Sequence, residues 1–190
     1  MTSVKTASHT QHNFRLPVSK SNDADKFTLV CSYEGKIYHK PEEEKSFGFV
    51  AGGLTSGIIS EEGVYLHHGS CWYPRTPESP MINFEVTTFT PQGWEVVGQN
   101  EFKERIVTNG KVKTTWTSQI PFDSYSLVAG KWLITSENFN GIRIATYFSA
   151  ESQPFSKAYL DATKEYLTLY PKFLTPYPYK SFSIVENFFL

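Results

Sequence analysis

The chain has 190 residues, a length that suits one or two domains with a sizeable hydrophobic core. Its 18 basic and 19 acidic side chains give a formal net charge of −1 without a basic run, which argues against nucleic acid or an anionic membrane surface as a partner. No apolar run approaches the roughly 20 residues of a membrane span, and the first residues lack the layout of a signal peptide, so the cellular compartment stays open.

Aromatic residues make up 16% of the chain, with 15 Phe and 11 Tyr against two Met. This composition is typical of a β-rich globular protein rather than a disordered one. The two cysteines, Cys31 and Cys71, allow either one disulfide or two buried thiols, and we favour the thiols.

The first third of the chain predicts two strands and a loop. Phe14, Leu16 and Val18 alternate with polar residues as a short edge strand would. Apolar and polar residues also alternate over residues 27–34, which predicts a half-buried strand. The acidic and glycine-rich residues 42–57 predict a long loop.

The middle of the chain predicts a series of short strands. They are expected at residues 63–66, 82–88, 94–97, 102–108, 111–118, 125–135 and 142–148. Asn109-Gly110 is a strong signal for a β-hairpin, because both central residues of a type I′ turn need positive φ. Asn140-Gly141 marks a second turn. Strands at this spacing predict a mainly β fold, an antiparallel β-sandwich or saddle-like sheet.

One stretch near the C-terminal end predicts a long α-helix. Apolar residues recur there at spacings of three and four, which places them on one stripe, and a second row widens it. The stripe is Phe155, Tyr159, Ala162, Tyr166, Leu169 and Phe173, and the second row is Leu160, Leu167 and Leu174. Ser152 occupies an N-cap position and Pro154 the first turn, whereas Pro171 predicts a kink or stop near Tyr170.

A short apolar strand is predicted after the helix at residues 182–185, and the chain then finishes on Phe188, Phe189 and Leu190. Chain termini are normally polar, so this ending favours a cut through a larger protein. We therefore expect a β-sandwich-like domain over residues 1–150 and the first elements of an incomplete domain over residues 151–190. Phe188, Phe189 and one side of the helix should be exposed.

The sequence contains one cluster of soft metal ligands, His67, His68 and Cys71. His39 is a candidate for a further ligand. Neighbouring residues of a strand point to opposite faces, so one zinc ion cannot easily bind both adjacent histidines. The simpler interpretation places one histidine at a core edge and treats Cys71 as a small buried apolar residue.

Three further groups are candidates for chemistry. Ser70 lies in HGSCW, which lacks the strand-turn-helix context of a nucleophile elbow. Glu186 and Asn187 place a carboxylate and an amide at a strand end, where either a site or a polar strand break can form. A face of exposed aromatic rings could bind sugar or peptide, although aromatic side chains at this density usually belong to the core. The rings concerned are Trp72, Tyr73, Trp94, Trp116 and Trp132.

Four segments carry a family resemblance through their order and spacing. They are FTLVCSYEGKI, EGVYLHHGSCWYP, PFDSYSLVAGKW and YLDATKEYLTLYPKFLTPYPYKSFSIVEN, and they span residues 27–187. Together they resemble the M1 family of zinc metallopeptidases, the aminopeptidase N-like enzymes, in its more divergent bacterial branch. The resemblance implies a saddle-shaped β domain followed by the first helix and strand of a thermolysin-like catalytic domain.

In that family, zinc is bound by the two histidines of an HExxH motif and a further Glu, and the motif Glu serves as general base. This chain contains no HExxH. The resemblance therefore implies zinc and a peptide substrate only for a parent protein, meaning a longer protein of which this chain is a part. We expect no catalytic, cofactor-binding or metal-binding residue in the chain itself.

The resemblance also suggests which residues line a substrate cleft. The family's Gly-x-Met-Glu-Asn motif, which grips the substrate amine, corresponds to Glu186-Asn187, but Ile184-Val185 stand where Gly-x-Met is expected. Where the family presents Gln or Glu to the same amine, this chain has residues 68–70. The expected cleft-lining residues are His68, Ser70, Trp72, Glu186 and Asn187.

The expected function is thus that of a non-catalytic, N-terminal part of an M1-like enzyme. It would form a structural wall of the substrate cleft and contact the catalytic domain of the parent protein. The alternative is an independent β-sandwich module that binds carbohydrate or peptide through its aromatic residues.

Overall fold

A computed structural model describes residues 2–5, 10–13, 28–40, 42–46, 49–75 and 81–188 of the chain. The chain divides into two compact units, Met1–Lys36 and Ile37–Leu190. Its elements are β1 (Thr2–Lys5), β2 (Thr10–Asn13), β3 (Glu42–Ser46), β4 (Phe49–Leu54), β5 (Gly57–Ile59), β6 (Val64–Leu66), β7 (Glu85–Pro91), β8 (Glu95–Val97), β9 (Glu101–Thr108), β10 (Lys111–Thr117), β11 (Leu127–Gly130), β12 (Leu133–Phe139), β13 (Ile142–Phe148), α1 (Ser156–Leu169) and β14 (Ser181–Val185). The predicted mainly β fold with one helix and a short final strand is confirmed.

The strands form several small sheets. In the first unit β1 pairs with β2, and in the second unit β3 pairs with β4. The larger sheets have the strand orders β7-β10-β9, β5-β6-β11-β8 and β12-β13-β14. All pairs are antiparallel except β13 and β14, which are parallel. A parallel pair needs a long crossover connection, and α1 lies in that connection.

Two hydrophobic clusters hold the second unit together. One is centred on β6, β8 and β11 and consists of Leu66, Val96, Tyr125, Leu127 and Ala129. The other lies between β8, β10 and β13 and consists of Val97, Trp116, Trp132, Ala145 and Tyr147. The indole N–H of Trp116 donates to the Val96 carbonyl at 3.1 Å, so the largest buried ring also has its polar atom satisfied.

The two Asn-Gly turns are confirmed. Asn109 and Gly110 have φ values of 51° and 71° between β9 and β10. Asn140 and Gly141 have φ values of 51° and 78° between β12 and β13. Both pairs therefore adopt the positive φ that a type I′ hairpin turn requires.

The prediction of a strand at residues 27–34 is wrong for residues 28–34, which the structure describes. Residues 28–36 form no strand, and Leu29 and Val30 are 53% and 84% exposed. An alternating pattern creates a strand only where a second backbone completes the hydrogen-bond ladder, and no described strand pairs here. The edge strand predicted at Phe14, Leu16 and Val18 lies outside the described residues.

The loop predicted at residues 42–57 is also wrong, because β3 and β4 form an antiparallel hairpin there and β5 begins at Gly57. Only two residues separate β3 from β4. A connection this short is typical of a β-hairpin, which the acidic and glycine-rich composition does not reveal.

The run predicted as one strand at residues 125–135 is divided into β11 and β12, which belong to different sheets. The break falls where Trp132 turns back over Gly130. A Cβ atom on Gly130 would lie 2.6 Å from the indole ring, so this close approach requires glycine.

The helix begins and ends close to its predicted limits, and it buries Leu160 of the predicted second row rather than the main apolar stripe. A short 3-10 turn at Gln153–Phe155 precedes α1, and a second one containing Pro171 follows it. The buried helix residues are Ser156, Leu160 and Thr163. The predicted stripe is largely exposed, as expected for a partly covered helix, with 60% exposure for Phe155 and 76% for Phe173.

Strand β14 is only half-buried along most of its length, although an apolar run predicts a fully buried strand. Cys31 and Cys71 are free thiols, as favoured, but both are exposed rather than buried. Among the described residues, no helix is long and apolar enough to cross a membrane. The domain division at residue 150 stays a prediction.

Candidate functional site

The segment that follows β6 forms a tight turn instead of continuing as a strand. His68–Ser70 is a single 3-10 turn, and it ends at Cys71, whose φ of 54° is left-handed. The Nδ1 atom of His67 accepts a hydrogen bond from the Gly69 N–H at 3.3 Å and so caps the turn. Because of the turn, the rings of His67 and His68 are 3.8 Å apart rather than on opposite faces.

His68 is half-buried at this turn, and its Nδ1 atom has no hydrogen-bond partner among the described residues. Burial lowers the pKa of the His68 imidazole, and the nearby charges of His67 and Arg75 lower it further. Asp123 acts in the opposite direction but does not reverse the shift. His68 is therefore held in its neutral form, in which a ring nitrogen can accept or donate a hydrogen bond.

Ser70 has a structural role in the turn. Its hydroxyl donates to the His67 carbonyl at 2.8 Å, and the residue is only 9% exposed. A serine nucleophile needs a hydrogen bond to a general base, and the Ser70 hydroxyl is engaged with a backbone carbonyl instead.

Trp72 anchors the turn to the first hydrophobic cluster. Its ring lies 5.0 Å from Tyr73 and 6.1 Å from Tyr125, measured between centroids. Of the other indoles, Trp116 and Trp132 are buried at 1% and 8% exposure. A sugar-binding face would thus depend on Trp72 and Trp94, which are both half-buried.

The histidines and Cys71 do not form a metal centre in the part of the chain that the structure describes, where no three His, Cys, Asp or Glu side chains converge. The Nδ1 atom of His39 is instead hydrogen-bonded to the Ser56 hydroxyl. Cys71 lies at the surface with its Sγ atom 4.0 Å from the Gly69 carbonyl oxygen.

Glu186 lies just after β14 and binds the turn that leads from β13 into the helix. One carboxylate oxygen accepts hydrogen bonds from the Ser152 hydroxyl at 2.7 Å and from the Ser149 hydroxyl at 3.2 Å, and the other accepts from the Ser149 N–H. Ser152 therefore does not cap the helix as predicted. Both carboxylate oxygens therefore accept hydrogen bonds from this turn. We name Glu186 together with Ser149 and Ser152 the Glu186 clamp.

The two residues after Glu186 differ in their surroundings. Asn187 is exposed. Phe188 is half-buried and packs against the second hydrophobic cluster, with its ring beside Gly63. The prediction that Phe188 is exposed is therefore wrong, because β14 delivers this ring to the core. Phe189 and Leu190 lie outside the described residues.

Replacing Glu186 should weaken the fold most at neutral pH. Burial raises the pKa of Glu186, but the hydrogen bonds from Ser149 and Ser152 lower it by more, so the pKa lies below its usual value. The clamp thus stabilises the fold above the ordinary glutamate pKa, and this contribution is lost as pH falls through the lowered pKa. We expect Glu186→Gln to reduce the free energy of unfolding by about 1–2 kcal/mol at neutral pH.

Urea unfolding of both proteins across this pH range measures the effect, and the difference between them should shrink in acid. Glu151→Gln is the matched control, since it makes the same charge change at an exposed position of the same turn. An equal loss from both substitutions would contradict the clamp.

The sequence missed the clamp because its members are 34 to 37 residues apart. Serine at a helix start usually caps the helix, so Ser152 gave a misleading signal. The polar residues Ser149 and Ser152 around a turn and Glu186 at a strand end were the available hints.

Comparisons with known proteins bear on the fold. No protein-family model matches the sequence, and no curated protein matches it. Among solved structures, the chain resembles the M1 zinc metallopeptidase from Deinococcus radiodurans, both as a mutant bound to a Tyr-Ser-Ala substrate (TM-score 0.55, 14% identity) and without mention of a ligand (TM-score 0.51, 15% identity). The chain shares the fold of part of this metallopeptidase.

In each of these two structures the likeness covers 76% of this chain but only 36% of the metallopeptidase chain. At such low identity the likeness establishes the fold and nothing finer. The matched part of this chain therefore spans only about a third of the length of the metallopeptidase chain.

Proposed function

We propose that this chain is the N-terminal, non-catalytic part of an M1-like zinc metallopeptidase, and that it forms a structural wall of the substrate cleft in the parent protein. Residues 1–150 would form the β domain, and residues 151–190 the start of the catalytic domain. The observation that carries the proposal is the shared fold over 76% of the chain with 36% of a zinc metallopeptidase.

The chemistry of the described residues supports a structural rather than a catalytic role. Ser70 and Glu186 are both engaged in hydrogen bonds that shape local turns. Metallopeptidase chemistry needs the HExxH ligands and general base, and the sequence lacks that motif. Zinc and the peptide substrate would thus belong to the catalytic domain of the parent protein.

The exposed face of α1 supports the existence of a covering domain. Tyr159, Tyr166 and Leu169 are 44% to 52% exposed and follow one stripe of the helix. Continuous apolar surface of this kind usually marks a site where another surface packs. The remainder of the catalytic domain in the parent protein would cover this stripe.

His68 and Trp72 are the residues best placed to line a cleft. His68 is neutral and half-buried, and Trp72 holds its turn against the core. This turn would form part of the cleft wall. The Nδ1 atom of His68, which has no hydrogen-bond partner among the described residues, would be available to a substrate. Glu186 would support the wall from within the clamp instead of contacting substrate.

A zinc analysis of the purified chain, combined with an assay on amino-acid anilides, tests the proposal. We expect no stoichiometric zinc and no turnover, with the Deinococcus radiodurans metallopeptidase as the positive control. Stoichiometric zinc accompanied by turnover would contradict a non-catalytic role. The reading frame of the parent protein provides the second arm, since it should encode HExxH beyond residue 190, and a complete frame without that motif would refute the family relationship.

A further inference from the structure

The two Asn-Gly turns share a conformation but differ in one hydrogen bond. Asn109-Gly110 and Asn140-Gly141 are both exposed hairpin tips with positive φ at both residues. In the second tip, the Gly141 N–H donates to the side-chain oxygen of Asn138 at 3.1 Å. In the described surroundings of the first tip, the Gly110 N–H donates to no acceptor.

The first tip is held by a hydrogen bond that does not restrain the peptide unit between Asn109 and Gly110. The Gln92 N–H donates to the Gly110 carbonyl at 2.9 Å. That carbonyl belongs to the peptide unit between Gly110 and Lys111, not to the unit between Asn109 and Gly110. The Asn109–Gly110 unit can therefore rotate without breaking a backbone hydrogen bond.

From this difference we propose that Asn109 is a site of spontaneous deamidation to isoaspartate and aspartate, and that the Asn138 side chain protects Asn140 from the same reaction. The inference is independent of the proposed function. It assigns a covalent modification site to the β9–β10 hairpin.

The reaction needs only water and a base. The glycine nitrogen loses its proton and attacks the asparagine Cγ atom, forming a C–N bond, and the side-chain amide leaves as ammonia after taking a proton from solvent. Water then adds to one of the two carbonyls of the cyclic imide and opens it to isoaspartate or aspartate. Glycine favours the attack because it has no Cβ atom to obstruct the approach. Asparagine is one of the thermolabile residues of proteins.

The Asn138 hydrogen bond slows this reaction at the second tip. The Gly141 N–H must leave the Asn138 oxygen before it can lose its proton and before the peptide unit can rotate towards attack. The need to break this one hydrogen bond should slow the deamidation of Asn140 about fivefold. At Asn109, isoaspartate would add a backbone atom and a negative charge to a turn that needs two residues of positive φ.

The test uses the intact chain incubated in mildly alkaline buffer, with isoaspartate and aspartate at each tip measured over time by peptide mapping and mass spectrometry. We expect Asn109 to convert about fivefold faster than Asn140. Equal rates, or faster conversion of Asn140, would overturn the proposal. In concentrated urea the two sites should convert at similar rates, and a persisting difference there would trace the selectivity to local sequence and overturn it too.

Variants at Asn138 separate protection by this side chain from general burial. Asn138→Ala should raise the rate at Asn140 to that of Asn109, whereas Asn138→Asp keeps an acceptor and should keep the protection. The midpoint of urea unfolding of each variant checks that the fold is intact, and the Asn109 rate should not change because Asn138 is exposed and lies in another sheet. An unchanged Asn140 rate in Asn138→Ala would refute the role of Asn138.

Discussion

Leu160→Ala is expected to lower the free energy of unfolding by about 2–5 kcal/mol, because a fully buried leucine loses both its transfer energy and its packing. Leu160 is 0% exposed in the middle of α1, where the helix packs on β12 and β13. The neighbouring Tyr159 ring also packs on β13, through an edge contact with Phe148 at 5.2 Å between centroids. The midpoint of urea unfolding, at an unchanged m value, measures the loss.

Leu169→Ala is the matched control on the opposite side of the same helix. Leu169 is 44% exposed, and the identical substitution there should change the free energy of unfolding by less than about 1 kcal/mol. Equal losses at the two positions would contradict burial of Leu160 as the cause of the destabilisation. In the parent protein the Leu169 variant should instead be destabilising, since the proposed catalytic domain covers that stripe.

The sequence predicts the existence and limits of the helix and places Leu160 in an apolar row, but it does not predict that this row, rather than the main stripe, is buried. Its limits depend on local features, above all Pro154 and Pro171, which act within one turn of the chain. The buried face depends on what the sheet presents. Thr163 is buried beside Leu160 and satisfies its hydroxyl by donating to the Tyr159 carbonyl at 2.8 Å, whereas the buried Ser156 hydroxyl has no partner among the described residues. Hydroxyls that bond within the helix can enter a core, and a count of apolar residues overlooks them.

The same distinction explains the strands. The hairpins at Asn109-Gly110 and Asn140-Gly141 are predictable because two residues determine each turn. The absence of the strand predicted at residues 27–34 from the described residues 28–34, and the parallel pairing of β14 with β13, depend on partners distant in the chain, which no local pattern specifies. Of the candidate site, the sequence identifies His68, Trp72 and Glu186, but their environments arise from long-range contacts.

Arg105→Met is expected to lower the free energy of unfolding by about 2–4 kcal/mol, because it leaves the buried Glu95 carboxylate without its counter-ion. Glu95 of β8 is 7% exposed, and Arg105 of β9 donates to both of its oxygens, from Nε at 2.7 Å and from Nη2 at 2.5 Å. The pair therefore joins two different sheets. The Arg105 side chain is 34% exposed, which reduces the loss below that of a wholly buried pair.

A second ion pair, which joins β9 to β10 within one sheet, is the control. Lys113 and Glu104 are also 2.5 Å apart, but their side chains are 37% and 38% exposed, so Lys113→Met should have a much smaller effect. Removing both members of the buried pair, as in Glu95→Gln with Arg105→Met, should restore part of the stability lost in Arg105→Met alone, because no unpaired charge remains. If the double variant is as unstable as the sum of the two single variants, the loss reflects packing of the Arg105 side chain against the sheets. A recovery instead identifies desolvation of Glu95 as the cause, and it would show that the contact between β8 and β9 depends on neutralising one buried carboxylate.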